Sequence, residues 1–354
     1  MTERVLLVRL SAMGDVVQSL GAAEALAAAR PDLELHWVVQ ERFAPLLENL
    51  PWLAAVIRHE RGAGVRGFVR TARQLRRQGY ACALDLQGNA KSALLARASG
   101  AGRAVGIRAR ERREGWSATL LHQRVPAPGL CHPADLALAV VRVLAPGAAS
   151  RPPRLVARAE EEAAEAEVLR GLGVDPLRPF AVAVIGPLDD PRSWPLARAA
   201  EFARSGTVPA HLRTALGLPD PGAPWPVVLV AGPDEADARL PEELPALRHG
   251  PGGVRRLVAL GALLARAHGV AFGPDVGATH VLACGGARTL ALFGPQDPAR
   301  TAPAAAAVAR HADPPPCMPC RRRTCAWHAG PVCMDFGLAQ ARLVPGWRTP
   351  GSAV

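Results

Sequence analysis

Aromatic side chains are scarce in this chain. Phe, Trp and Tyr together make up 4% of its 354 residues. Proteins that hold single-stranded nucleic acid stack bases on such rings, and no nucleic-acid reading motif is present, so that class is disfavoured. Long apolar runs are missing as well. Hydrophobic residues account for 49% of the chain, but no run reaches the roughly 20 residues that a membrane-spanning helix needs. Thr2-Glu3-Arg4, four apolar residues and then Arg9 do not make a signal peptide. Cysteine is limited to seven residues, an odd number and mostly outside any repeating framework, which fits a reducing compartment better than a disulfide scaffold. A cytoplasmic protein is expected.

Negative charge is lacking from one stretch. The net charge is +11, and between Arg58 and Arg124 there are 15 Lys and Arg against 4 Asp and Glu, while the rest of the chain balances at 27 against 27. The whole surplus therefore sits in one segment, which implies an anionic partner: nucleic acid, an acidic membrane surface, or a phosphorylated or carboxylated substrate. Within it, the run from Arg66 to Arg77 puts Phe68, Ala72 and Leu75 on one helical face and arginines around the others.

The remaining pattern is α/β. Strands are expected at Val5–Val8, Leu33–Val39, Ala81–Leu86, Ala104–Ile107, Phe180–Ile185, Val227–Ala231, Val270–Phe272 and Thr289–Phe293, with helices between most of them. Continuous apolar runs separated by longer helical patterns indicate parallel sheets covered on both faces. A chain of this length exceeds what one core usually serves. The Pro- and Gly-rich passage around Pro146, Gly147 and Pro152-Pro153 places a boundary near residue 150, giving domains 1–150 and 151–354. Two Rossmann-like domains facing a cleft are expected.

Three places carry chemistry. Arg4–Leu10 runs into Ser11-Ala12-Met13-Gly14-Asp15, where Gly14 is expected to allow a sharp turn and Asp15 to stand at a helix mouth, on the side where open α/β sheets bind ligands. Asp15 is then either a helix cap or an active-site carboxylate. In the second half, Gly273-Pro274-Asp275-Val276-Gly277-Ala278-Thr279-His280 follows a strand and is expected to open a helix at Val281, with free N–H groups suited to a pyrophosphate. Gly232-Pro233-Asp234-Glu235 ends a neighbouring strand and places a carboxylate within reach of ribose hydroxyls, and Gly294-Pro295-Gln296-Asp297 follows a third strand. Gly62-Ala63-Gly64-Val65-Arg66-Gly67 spells a dinucleotide fingerprint, with Asp85 about 20 residues on. It suggests an NAD-binding oxidoreductase as an alternative, but Arg58-His59-Glu60-Arg61 reads as too charged to end a strand, and this would not be the first strand of its sheet. Cys317, Cys320, Cys325 and Cys333, with His328 between them, would suffice for tetrahedral zinc or an iron–sulfur cluster. Arg321–Arg323 are expected to make these thiols reactive, while Cys82, Cys131 and Cys284 read as small core residues.

These motifs, taken in order, carry a resemblance. Arg9-x-Ser11-x-x-Gly14-Asp15-Val16, Asp85-Leu86-Gln87-Gly88 with Lys91-Ser92, Arg192-x-Trp194-Pro195, Gly232-Pro233-x-Glu235, Asp275-x-Gly277-x-x-His280 and Phe293-Gly294-Pro295-x-Asp297-Pro298 are similar to those of glycosyltransferase family 9, from residue 4 to about residue 343. The first half most resembles the lipopolysaccharide heptosyltransferases of type I. The resemblance implies a GT-B fold, an N-terminal acceptor domain, a C-terminal donor domain, and inverting transfer of heptose from an ADP-sugar to the Kdo-lipid A inner core. It implies Asp15 as general base and Arg192 as the cation meeting the departing ADP, with no cofactor and no catalytic metal. Gly14, Glu235, Asp275, Val276, Gly277, Thr279 and His280 would bind the donor. Arg61, Arg66, Asp85, Gln87, Lys91 and Arg112 would bind the acidic acceptor. Val276 stands where the family usually has Ser or Thr, and Arg192 where it often has Lys. The cysteine cluster reads as structural. The basic segment would hold the protein peripherally on the cytoplasmic face of the inner membrane.

Overall fold

A computed structural model describes residues 3–127, 129–130, 132–220, 222–232, 235, 239–250, 253–304, 306–326 and 330–345. The chain divides into two compact units, Met1–Pro153 and Arg154–Val354.

The first unit follows the order β1 (Glu3–Val8), α1 (Met13–Ala29), β2 (Leu33–Gln40), β3 (Ala55–His59), α2 (Gly64–Arg76), β4 (Cys82–Asp85), α3 (Ala90–Ala98), β5 (Arg103–Ile107), β6 (Gln123–Val125) and α4 (Pro133–Val141). Its parallel strands lie in the order β3-β2-β1-β4-β5-β6. Val5–Val8 is fully buried because β1 is central and helices cover both faces. The strand order reverses between β1 and β4, so this is the position where a doubly wound sheet opens a crevice at the carboxyl ends of its strands.

The second unit begins with α5 (Ala159–Gly171) and β7 (Ala181–Ile185), then α6 (Leu196–Ser205), α7 (Ala210–Leu216), β8 (Val227–Ala231), β9 (Ala246–Arg248) and α8 (Val254–Arg266). It closes with β10 (Val270–Pro274), α9 (Gly277–Cys284), β11 (Arg288–Phe293), α10 (Pro298–Thr301), β12 (Ala307–His311) and β13 (Ala341–Leu343). The sheet order is β13-β12-β11-β10-β7-β8-β9, parallel except for β13. Its reversal falls between β10 and β7.

All eight expected strands form, and five more appear: β3, β6, β9, β12 and β13. Three of these, β6, β9 and β13, are three-residue strands at sheet edges, too short to leave an apolar run. β3 corrects a specific expectation. It ends at His59 despite its charged neighbours, because it is the edge strand and Arg58 points to solvent, where it pairs with Glu48 at 2.5 Å. The stretch Gly62–Gly67 therefore does follow a strand and open a helix, but at the edge of the sheet rather than at its reversal point. A dinucleotide fingerprint belongs at the first strand, and that position is occupied here by Arg9–Ala12.

Candidate active site

In the first unit the site grows from the end of β1. Arg9 is buried, and a buried guanidinium needs partners for its donors. Its Nη1 donates to the carbonyl of Leu86 at 2.6 Å and its Nη2 pairs with Asp15 Oδ2 at 2.7 Å. Leu10 N–H donates to Gln87 Oε1 at 2.7 Å, and the indole of Trp37 donates to the Arg9 carbonyl at 3.1 Å. The loops after β1 and β4 are thereby locked together at the reversal point. Arg9 was absent from the candidate residues; its signal in the sequence is a lone cation directly behind the apolar run of β1.

Asp15 does not cap α1 from the N-cap position. The helix starts at Met13, Ala12 is the N-cap, and Asp15 is third in the helix, accepting the Ala12 N–H at 3.3 Å. An acid in the first turn is favoured by the helix dipole. Gly14 does not make the turn either: residues 9–12 do, and Gly14 is already helical. The Asp15 side chain keeps 37% of its surface exposed. Its Oδ2 takes both contacts, and Oδ1 has no partner among the described residues.

Asp85 and Arg112, expected to face an acceptor, are both fully buried and face each other, Arg112 Nη2 to Asp85 Oδ2 at 2.7 Å. The same guanidinium donates to the Asn89 carbonyl at 2.8 Å and to Ser117 Oγ at 2.8 Å, while Asp85 Oδ1 accepts from the N–H groups of Gln87 and Gly88, both at 3.1 Å. They shape the loop between β4 and α3 and do not present charge to solvent. Arg61, Arg66 and Lys91 are exposed. No ion pair holds any of these three among the described residues.

In the second unit the strand ends of β7, β8 and β10 adjoin. Arg192 lies on the loop after β7. Ser193 Oγ donates to the Pro187 carbonyl at 2.6 Å, and buried Trp194 donates to the Phe336 carbonyl at 2.9 Å, so the loop is pinned on both sides of it. Arg192 grips Asp190 through Nε at 2.9 Å and Nη2 at 2.5 Å, with 39% of its side chain exposed. The hydrogen bond with Asp190 raises its pKa above the ordinary guanidinium value, and the charges of Asp190, Asp275 and Glu235 add to the effect. Asp190 was not foreseen.

Helix α9 begins at Gly277, four residues ahead of expectation. Its N-cap, Val276, offers no side-chain hydrogen bond, and the N–H groups of Gly277 and Ala278 have no partner among the described residues. That end of α9 is ready for an anion. A Cβ on Gly186 would lie 3.2 Å from Val276, and one on Gly232 would lie 2.9 Å from Glu235 Oε2 and 3.2 Å from Ala278. Glycines at these two strand ends thus let Glu235 and the start of α9 come together. Thr279 and His280 are placed differently from expectation. Both are buried; the Thr279 N–H is used by the Val276 carbonyl at 3.1 Å, and His280 Nε2 faces Asp275 Oδ1 at 3.3 Å. Pro233 and Asp234 lie outside the described residues.

The cysteine cluster surrounds a cavity of about 20 Å³ lined by Cys317, Cys320, Cys325 and Cys333. Among the described residues no three His, Cys, Asp or Glu side chains form a metal-holding group, and His328 lies outside them. The expected reactivity is corrected at Cys333: burial, reinforced by the other three thiols, pushes it up to about 11. Arg321 is turned away to Asp297 at 2.8 Å. Cys82 and Cys284 are buried core thiols, and Cys131 lies outside the described residues.

Comparison with known proteins bears on these two strand-edge sites. Residues 68–170 and 220–329 match the family model described as glycosyltransferase family 9 (heptosyltransferase). The chain is 28% identical over 339 residues to lipopolysaccharide heptosyltransferase 1 of Pseudomonas aeruginosa, covering 92% of this chain and 88% of that one. A shorter match, 31% identical over 98 residues, spans 27% of this chain and 28% of lipopolysaccharide heptosyltransferase 1 of Campylobacter coli. The solved structure of E. coli ADP-heptose lps heptosyltransferase II superposes with a TM-score of 0.65 at 21% identity, covering 87% of this chain and 90% of that one. The two parallel-sheet units are of the GT-B type. Because the family model matches more than half of the chain, the chain belongs to glycosyltransferase family 9, the heptosyltransferases.

Proposed function

We propose that the chain is an inverting heptosyltransferase that moves heptose from ADP-L-glycero-D-manno-heptose to the Kdo-lipid A inner core in lipopolysaccharide biosynthesis. The observation that carries this reading is the half-exposed Asp15 carboxylate, fixed through Oδ2 by Arg9 at the sheet reversal, with no partner on Oδ1 among the described residues. In this reaction an acceptor hydroxyl oxygen attacks the anomeric carbon, the bond from that carbon to the ADP oxygen breaks, and the hydroxyl proton passes to a base. Asp15 Oδ1 takes the proton. The negative charge left on the ADP needs donors already in place. Arg192 and the free N–H groups of Gly277 and Ala278 supply them, and Glu235 reaches the ribose. Asp275 contributes through Arg192 and His280 rather than by direct contact. No cofactor enters this scheme, and no metal is assigned a step.

Arg61, Arg66 and Lys91 are the exposed cations that answer the carboxylates and phosphates of the acceptor. They belong to the segment holding the whole charge surplus, which also supports peripheral contact with the cytoplasmic leaflet of the inner membrane. No helix among the described residues is long and apolar enough to cross a membrane.

The deciding experiment is Asp15→Asn, assayed with ADP-heptose and Kdo-lipid A. Turnover should fall by ~10² to 10⁴, as for loss of a general base, while ADP-sugar binding stays intact. Near-normal turnover would remove Asp15 from the reaction and the reading with it.

A further inference from the structure

Helix α2 buries Thr71 and Leu75 and packs Phe68 against the core of the first unit. Its opposite side carries a shallow groove of about 690 Å³ lined by Val65, Arg66, Val69, Arg70, Arg73, Gln74, Arg77 and Gln78. Two stripes run along it. Val65 and Val69 stand one turn apart, with Val65 79% exposed. Beside them, Arg66, Arg73 and Arg77 form no ion pair among the described residues, whereas Arg70 is paired with Glu60. Three guanidinium groups without an internal counter-charge call for an external anion. The exposed Val65 and the half-buried Val69, one helical turn apart next to them, gain nothing from water or from a phosphodiester backbone.

We propose that this outer face of α2 is a docking surface for an anionic lipid bilayer, with Arg73 and Arg77 on lipid phosphates and Val65 and Val69 sunk into the boundary between headgroups and acyl chains. A bilayer satisfies both stripes at once, as it does for helices lying in the membrane plane. A nucleic acid would satisfy only the cations, and no aromatic side chain lines the groove for a base to stack on. The inference rests on the proposed function for the reason a membrane lies nearby, but its test does not require activity. It adds an apolar component to membrane contact that charge alone would not provide.

The test is co-sedimentation of the full chain with phosphatidylglycerol-rich vesicles, with phosphatidylcholine vesicles as the uncharged control. Wild-type binding should weaken as salt rises, yet a residue of it should survive at ~1 M salt, where the screening length is only about 3 Å. Val65→Asp combined with Val69→Asp should abolish that residue. At low salt the same variant should bind at least about tenfold more weakly, since one charge near an anionic surface alone changes binding by about fivefold. Val65→Leu with Val69→Leu should bind at least as well as wild type. Replacing Arg73 and Arg77 by Gln should remove most of the salt-sensitive part. Transfer to a soluble acceptor stripped of its acyl chains should be unchanged in the valine variants. The proposal is overturned if the aspartate variant sediments like wild type, or if the wild type binds duplex DNA in preference to the vesicles. Absence of transfer to either acceptor by the wild type would instead sink the proposed function and leave the vesicle result standing.

Discussion

Arg112→Met separates a buried structural ion pair from an acceptor contact. In the wild type the guanidinium and the Asp85 carboxylate are fully buried 2.7 Å apart. Methionine fills much of the same volume but removes the donors to Asp85 Oδ2, to the Asn89 carbonyl and to Ser117 Oγ. Ser117 still donates to the Glu114 carbonyl at 2.6 Å, so its loss is small. Asp85 keeps the two backbone N–H groups on Oδ1, and its Oδ2 is stranded without solvent. Breaking such a pair from one side costs about 3 to 5 kcal/mol. For a unit of this size, at roughly 2 to 4 °C per kcal/mol, that is a fall of about 6 to 20 °C in its melting temperature. Calorimetry on the full chain should show one transition moving down by this amount. Adding Asp85→Leu should recover part of the loss, because the stranded charge is then gone as well. The acceptor KM of the surviving folded protein should change little. An unshifted transition accompanied by a raised acceptor KM would refute the reasoning and return Arg112 to the acceptor surface.

Arg192→Ala should weaken ADP binding by roughly 1.5 to 3 kcal/mol, about ten- to hundredfold, the scale of one charge-assisted contact to phosphate; an unchanged dissociation constant by titration calorimetry would take Arg192 out of the donor site. His249 is buried beside Glu165 and Arg256, and burial first and the Arg256 charge second lower its pKa from 6.5 to about 4. The folded protein thus resists a proton that the unfolded chain accepts below pH 6.5, so stability is full above that pH and drains away down to about pH 4, by roughly 3 kcal/mol. His249→Leu should flatten that limb in urea denaturation, and a limb of unaltered slope would show that other groups produce it. Cys333, with its thiol at about 11, should resist alkylation at pH 8 while exposed Cys317 reacts; equal rates by peptide mass mapping would contradict the placement of Cys333.

The central strands of both sheets and the places where chemistry gathers are legible in the sequence. Val5–Val8, Val227–Ala231 and Val270–Phe272 are strands because short continuous apolar runs can be buried on both faces only inside parallel sheets. The order of motifs then identified the family. Only the tertiary structure decided how the charged residues are used, because a side chain's partner depends on which strand ends adjoin. Arg9 and Leu86, or Asp85 and Arg112, are far apart in the chain and meet because β1, β4 and β5 are neighbours. That adjacency turned two expected acceptor contacts into a buried pair, whereas Asp15 takes its cationic partner, Arg9, from the same turn. In the second unit Thr279 and His280 are buried because α9 starts a turn earlier than expected, at Gly277, and includes them. The edge strand β3 stayed hidden for the complementary reason: one open side lets it carry charge, so its short apolar run ends in Arg58-His59.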